Sequence, residues 1–181
     1  MRPTPTTPTV TPNVLSVRMP QKSLYVVKGK KVKMPVAAYT EKNEKVALKW
    51  ESTNKSKATV TQKGYIKGIK PGSVKIIAKA SNGKKATLKV FVVKKAKMVK
   101  NIVFAKKTTK AMKNKTVKFL NAFIRPKNAT GKRGAVFNWK SSNRKIARVD
   151  AVGRITALKK GKCKITVTVG GRKKTFVLRV K

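Results

Sequence analysis

The sequence predicts an all-β chain built as two tandem β-sandwich domains, and three observations carry that reading. Apolar residues alternate with charged ones at a period of two, the spacing of strands with one buried face. Runs rich in Val, Ile, Thr and aromatics are broken by Gly and Asn pairs, and helix signals are absent. A phrase running from Trp50 to Gly64, "WESTNKSKATVTQKG", returns from Trp139 to Gly153 as "WKSSNRKIARVDAVG".

Residues 1–13 open with "MRPTPTTPTVTP", where four of the eight prolines are interleaved with threonine. Such a Pro/Thr mixture stays extended and packs no core, so it reads as a disordered linker. A linker implies something before it, and the expectation is an upstream domain of the same exported polypeptide. Domain 1 follows over residues 14–94 and domain 2 over 95–181, joined through "KKAKMVK". No run reaches the roughly 18 apolar residues of a membrane span.

Within domain 1, Val74, Ile76 and Ala78 alternate with Lys75 and Lys79, and Leu88, Val90 and Val92 with Lys89 and Phe91. "SNGKK" and "GGRKK" predict hairpin turns, because Asn-Gly and Gly-Gly tolerate positive φ. About seven strands per copy are expected. Pro35 inside a strand-like run predicts an edge position, and "VKFLNAFI" changes apolar phase midway, as at a bulge. Cys163, the single cysteine, shares a face with Ile165 and Val167 and reads as a small buried hydrophobe.

The two phrases align at an offset of 89, pairing Trp50/Trp139, Ser52/Ser141, Asn54/Asn143, Ala58/Ala147, Val60/Val149 and Gly64/Gly153. The same offset continues through Ile66/Ile155, Gly72/Gly161 and Ile76/Ile165. Upstream it falls to 85, at "KKVKM" against "KTVKF", which predicts a four-residue insertion in "IRPKNATGKRGAV". A period near 90 is too long for a solenoid repeat, so each copy is a domain.

The string W-x-S-x-N, then A-x-V, then G-x-I, then G-x-x-x-I resembles the bacterial immunoglobulin-like domain, group 2. Pro126-Lys127-Asn128-Ala129-Thr130 is similar to that family's loop before the tryptophan strand. The resemblance covers residues 14–93 and 99–181 and implies two tandem immunoglobulin-like β-sandwich domains. It further implies a non-catalytic stalk, spacer or adhesion module, of the kind found on bacterial surface proteins, in phage structural proteins and on secreted polysaccharide-degrading enzymes. The chain departs from the family's usual composition in its lysine content.

Inventory argues against catalysis. There is no histidine, and Glu41, Glu44, Glu51 and Asp150 are the four carboxylates, at unmatched positions in the two copies. Paired-acid hydrolysis and a calcium cage both need carboxylates brought together, so no catalytic residue, metal ligand or cofactor is assigned. Trp50 and Trp139 read as core anchors, with sugar-stacking platforms as the alternative, and Gly64, Gly72, Gly153 and Gly161 as turn residues.

Charge is the outlier: 48 Lys plus Arg against 4 Asp plus Glu gives a net +44. A merely soluble surface intersperses both signs, so the near absence of acids predicts an anionic partner. The candidate anion-binding groups are Lys28, Lys30, Lys31 and Lys33; Arg144, Lys145 and Arg148; Lys159, Lys160, Lys162 and Lys164; and Arg172, Lys173 and Lys174. Lysine, a hydrated point charge, favours diffuse attraction. Teichoic-acid-type cell-wall polymers or acidic glycans fit an extracellular, wall-associated module. Seven of the nine arginines follow residue 124, which suits the second copy to direct contact with phosphate or carboxylate. Non-specific nucleic-acid binding is the alternative, disfavoured because there is no helix to enter a groove and no aromatic stacking platform. An inert spacer and a glycan-binding adhesin or phage ornament stay open beside them.

Overall fold

The structure is a computed structural model that describes residues 13–42, 46–105, 111–131 and 134–181. Residues 1–12, which hold nearly all of the proposed linker, and Glu44 lie outside the described residues. Every regular element among the described residues is a strand. The first domain comprises β1 (Val14–Arg18), β2 (Ser23–Val27), β3 (Lys31–Lys33), β4 (Ala37–Thr40), β5 (Lys49–Ser52), β6 (Ala58–Val60), β7 (Tyr65–Gly68), β8 (Gly72–Lys79) and β9 (Lys85–Val93). The second repeats the series as β10 (Asn101–Phe104), β11 (Ala111–Met112), β12 (Val117–Phe119), β13 (Ala122–Arg125), β14 (Asn138–Ser141), β15 (Ala147–Val149), β16 (Arg154–Ala157), β17 (Gly161–Val169) and β18 (Arg172–Val180).

Each domain has a four-stranded sheet, β2-β9-β8-β5 or β11-β18-β17-β14, a three-stranded sheet, β3-β7-β6 or β12-β16-β15, and a two-stranded ribbon, β1-β4 or β10-β13. The first strand of the four-stranded sheet runs parallel to its neighbour in both copies, and every other pairing is antiparallel. Alternation places Val74, Ile76, Ala78, Leu88, Val90 and Val92 inside and their lysine neighbours outside. Both predicted hairpins are present, closed at Lys79/Lys85 and at Val169/Arg172.

Among the described residues there are nine strands per copy rather than about seven, because two runs each break into a pair that serves different sheets. Pro35 makes one of those breaks. With no N–H for a ladder bond, it sits between β3, an edge strand, and β4. The equivalent break in the second copy is at Leu120 and Asn121, so the phase change in "VKFLNAFI" is a change of sheet and not a bulge.

Register also corrects the upstream alignment. Val32 faces Ile66, and the repeat-equivalent Ile155 faces Lys118, which sets an offset of 86 there instead of 85. Leu120 accordingly takes the place of Met34: Met34 N–H donates to Gly64 O at 2.9 Å and Leu120 N–H to Gly153 O at 2.8 Å. The ribbons keep an offset of 85 at Val17 and Ile102, both buried against the core. One inserted residue therefore precedes β11, and three fall in the loop between β13 and β14.

That lengthened loop docks on the first domain. Val136, 7% exposed, joins the first domain's hydrophobic cluster beside Val32 and Trp50. Gln21 clasps the same loop, with Nε2 donating to Ala135 O at 3.1 Å and Oε1 accepting from Phe137 N–H at 3.2 Å. Beside it, the Arg18 guanidinium lies 3.9 Å above the Phe119 ring, Phe119 meets Tyr39 edge to face at 6.1 Å, and the Arg154 guanidinium lies 4.4 Å from the Tyr39 centroid. The one-residue register change is what turns Phe119 outward to make these contacts.

Candidate functional site

The repeated phrase proves to be scaffold. Gly64 and Gly153 have φ of +76° and +85°, and an added Cβ would stand 3.0 Å from the ring of Trp50 or Trp139. The tryptophan and the glycine are thus one feature, a ring laid over a turn that has no room for a side chain. Ser52 Oγ donates to Ala58 O at 2.6 Å, and Ser141 Oγ to Asn143 O at 3.1 Å. Asn54 Oδ1 accepts from the N–H of Ser56 and Lys57, and Asn143 Oδ1 from those of Lys145 and Ile146. These are the Asx turns that lead into β6 and β15.

The tryptophans differ. Trp50 is 5% exposed in the first core. Trp139 is half-buried, stacks on Phe104 at 6.3 Å, and is the residue whose Nε1 is buried with no hydrogen-bond partner among the described residues. Cys163 is 4% exposed, and burial raises its thiol pKa while a hydrogen bond to Ser141 opposes the shift, so it is a core residue and no ready nucleophile. Among the described residues no cluster of three metal-ligating side chains exists.

The candidate basic residues separate into groups. Lys28 and Lys30 occupy the exposed turn between β2 and β3, and Lys31 and Lys33 flank the Tyr65 ring at 4.7 and 5.4 Å. Arg144 and Lys145 meet Lys159 and Lys160 at one end of the second sandwich, where Leu158 and Lys159 donate to Ile146 O. Arg148 lies exposed on β15, and Lys162 and Lys164 point outward from β17, with Lys162 directly opposite Arg179. Arg172, Lys173 and Lys174 stand towards the far end of that strand pair, between three and seven residue steps from Lys162 and Lys164, or roughly 10 to 23 Å along the strand. Two of these three are engaged locally: Arg172 Nε donates to Val99 O at 3.3 Å, and Lys174 is half-buried with Nζ 5.8 Å from Phe104.

Sequence reasoning missed the outer face of β2-β9-β8-β5. Register aligns Lys49, Lys79 and Lys85 in one row across three strands, and Lys75 opposite Lys89 in another. All five are exposed. Alternation marks each as outward, but which lysines share a row depends on pairing that a single strand does not show. Like charges directly opposite oppose folding. The only salt bridge among the described residues, Lys49 Nζ to Glu51 Oε1 at 3.2 Å, relieves one row alone. Next along the sheet, Tyr25 and Phe91 stack at 4.6 Å with Lys89 Nζ 5.1 Å from the Phe91 centroid.

Two sandwiches, each with a structural tryptophan turn and all-strand among the described residues, define an immunoglobulin-like fold. The chain belongs to the bacterial Ig-like domain (group 2) family, which matches residues 13–90 and 98–178. Among solved structures it is similar to S-layer protein SbsC domains 5-6, at 19% identity and a TM-score of 0.43 over 94% of this chain and 98% of that one. It is similar to S-layer protein rSbsC(31-844) at 17% identity and a TM-score of 0.40, over 82% of this chain and 23% of that one. A third is the C-terminal fragment of intimin in complex with the translocated intimin receptor's intimin-binding domain, at 16% identity and a TM-score of 0.32, over 92% of this chain and 64% of that one. The chain thus spans under a quarter of the rSbsC(31-844) chain. Proteins of curated function gave no sequence match.

Proposed function

We propose that this tandem pair holds a larger exported protein at an anionic bacterial surface, on teichoic-acid-type wall polymers or acidic glycans. The observation that supports it is a surface of one sign. Of the three acidic side chains described, Glu51 pairs with Lys49, Asp150 is drawn into the junction with Tyr39, and Glu41 stands exposed after β4, so little offsets the lysines. Retention is multivalent: each lysine contact is weak and screened by salt, and two domains on one polymer sum many of them. Gln21, Val136 and the ring stack at the junction support that sum, because domains held together reach one polymer without first being ordered.

The same junction favours a second reading, an inert spacer that sets distance from the wall. One experiment separates the two. The protein is sedimented with purified cell walls, before and after extraction of their phosphate polymers, across a salt series. Attachment predicts binding that falls with salt and with extraction. No binding overturns it in favour of the spacer, salt-insensitive binding overturns it in favour of a glycan-binding adhesin, and tighter retention on duplex DNA than on walls selects the nucleic-acid alternative.

A further inference from the structure

On the outer face of the first domain's four-stranded sheet, Thr53, Ser73, Lys75 and Lys89 line an open pocket of about 410 Å³ floored by Val74. Backbone bonds fix its wall. Thr53 N–H donates to Lys75 O at 3.0 Å, and Lys75 N–H donates to Thr53 Oγ1 at 3.1 Å, which leaves the Thr53 hydroxyl proton free to point outward. Ser73 is exposed beside it, and Lys89 faces Lys75 from the neighbouring strand. Two lysines and two hydroxyl residues, from β8, β9 and the loop after β5, therefore line one solvent-open depression.

The second domain carries the same framework. Ser142 replaces Thr53, with Ser142 N–H donating to Lys164 O and Lys164 N–H to Ser142 Oγ, both at 2.9 Å. Lys162 takes the place of Ser73 and Lys164 that of Lys75, while Val177 stands where Lys89 does. Each copy thus presents a hydroxyl beside a lysine, and each keeps two lysines around it by a different choice of strand positions.

The geometry points to a phosphate seat in each domain, Thr53–Ser73–Lys75–Lys89 in the first and Ser142–Lys162–Lys164 in the second, that takes phosphates of a linear phosphodiester polymer. This rests on the attachment reading and names the sites through which it works. Phosphate fits better than carboxylate because the donors are single points approaching from several strands, which suits tetrahedral oxygens. A planar carboxylate is gripped best by an arginine fork; the first seat contains no arginine, while in the second Arg179 stands opposite Lys162. A bound phosphate also neutralises the opposed lysines, so the folding cost of placing Lys75 against Lys89 becomes binding specificity.

The test uses the whole chain with inorganic polyphosphate as probe and poly-glutamate as the carboxylate comparator, at one fixed ionic strength. Lys75→Gln with Lys89→Gln is expected to weaken polyphosphate binding about tenfold. Lys55→Gln with Lys70→Gln removes equal charge from exposed loops and is expected to weaken it about two- to threefold. The first double variant relieves a like-charge pair, so its melting temperature stays level or rises, which separates a lost seat from a lost fold. Equal losses for the two variants overturn the seat while leaving diffuse attachment standing. Poly-glutamate bound as tightly as polyphosphate overturns the choice of phosphate. Parent protein that ignores polyphosphate at low salt overturns the attachment reading itself.

Discussion

Tyr39 Oη donates a 2.5 Å hydrogen bond to Asp150 Oδ2, joining residues 111 positions apart across the boundary between the two sandwiches. Asp150 also accepts at Oδ1 from the N–H of Val152 and Arg154, so one carboxylate holds both its own turn and the neighbouring domain. It is the only acid of the second copy, where the charge argument alone gives no reason to keep one.

The Tyr39 phenol is pushed above its ordinary value near 10, chiefly by burial, then by the hydrogen bond to Asp150 and that group's negative charge, with Arg154 and Arg18 pulling the other way. A raised pKa in the folded state means the neutral phenol is favoured there. Its contribution to the junction is complete below about pH 10 and drains away as pH climbs through the raised value. Small-angle scattering is expected to show constant dimensions from pH 6 to about 10 and domain separation only as pH climbs from there towards the raised value. A pH that high acts on the whole protein and not on the phenol alone. Tyr39→Phe, which loses about 1–2 kcal/mol of junction energy, is therefore the control. If the variant opens at the same pH as the parent, the phenol is not the cause.

The docked loop gives a sharper handle. An added Cβ at Gly134 would fall 2.5 Å from Val32 Cγ1, and Gly134 has φ of +92°, so any side chain there must push the loop off the first domain. Gly134→Val is expected to detach Val136 and increase the radius of gyration. It should lower the melting temperature modestly, since each sandwich keeps its own sheets and only the junction's apolar burial, about 1–2 kcal/mol for one valine, is lost. Unchanged dimensions would mean the domains are held by something other than this loop.

The duplication and strand alternation were readable because both are written along the chain: a period of two within a strand, and a fixed offset between Trp50 and Trp139. What pairs beside what was not. The row of Lys49, Lys79 and Lys85, and the seat made by Thr53 with Lys75 and Lys89, exist only once register is fixed. The upstream alignment erred by one residue for a related reason. Phe119 is apolar like Met34, and nothing local says that it is spent on Tyr39 and Arg18 while Leu120 fills the core.

The tryptophan and glycine pairing predicts matched effects in the two copies. Gly64→Ala forces a left-handed backbone on an L-residue and drives its Cβ into the Trp50 ring, so it should cost about 2–4 kcal/mol and lower the first domain's melting temperature by 10 °C or more. Gly153→Ala should do the same to the second domain through Trp139. Gly83 in the first hairpin, whose added Cβ would meet nothing, is the control for backbone strain alone. Calorimetry that finds all three alike would show that the ring contact adds nothing to the strained φ.

The two tryptophans should part company when only the indole nitrogen is removed. In Trp139 the buried Nε1 has no partner, so its desolvation is uncompensated, and Phe104 already supplies a stacking surface that a phenylalanine can use. Trp50 sits deeper, at 5% exposure, and its larger ring fills volume beside Met34 and Val136 that a phenyl group would leave empty. Trp50→Phe is therefore expected to destabilise the first domain by about 1–2 kcal/mol more than Trp139→Phe destabilises the second. Because the remaining tryptophan lies in the other domain, calorimetry of each variant against the parent reads the cost in the substituted domain. Equal costs, or a larger one at Trp139, would mean that its nitrogen finds a partner in solution.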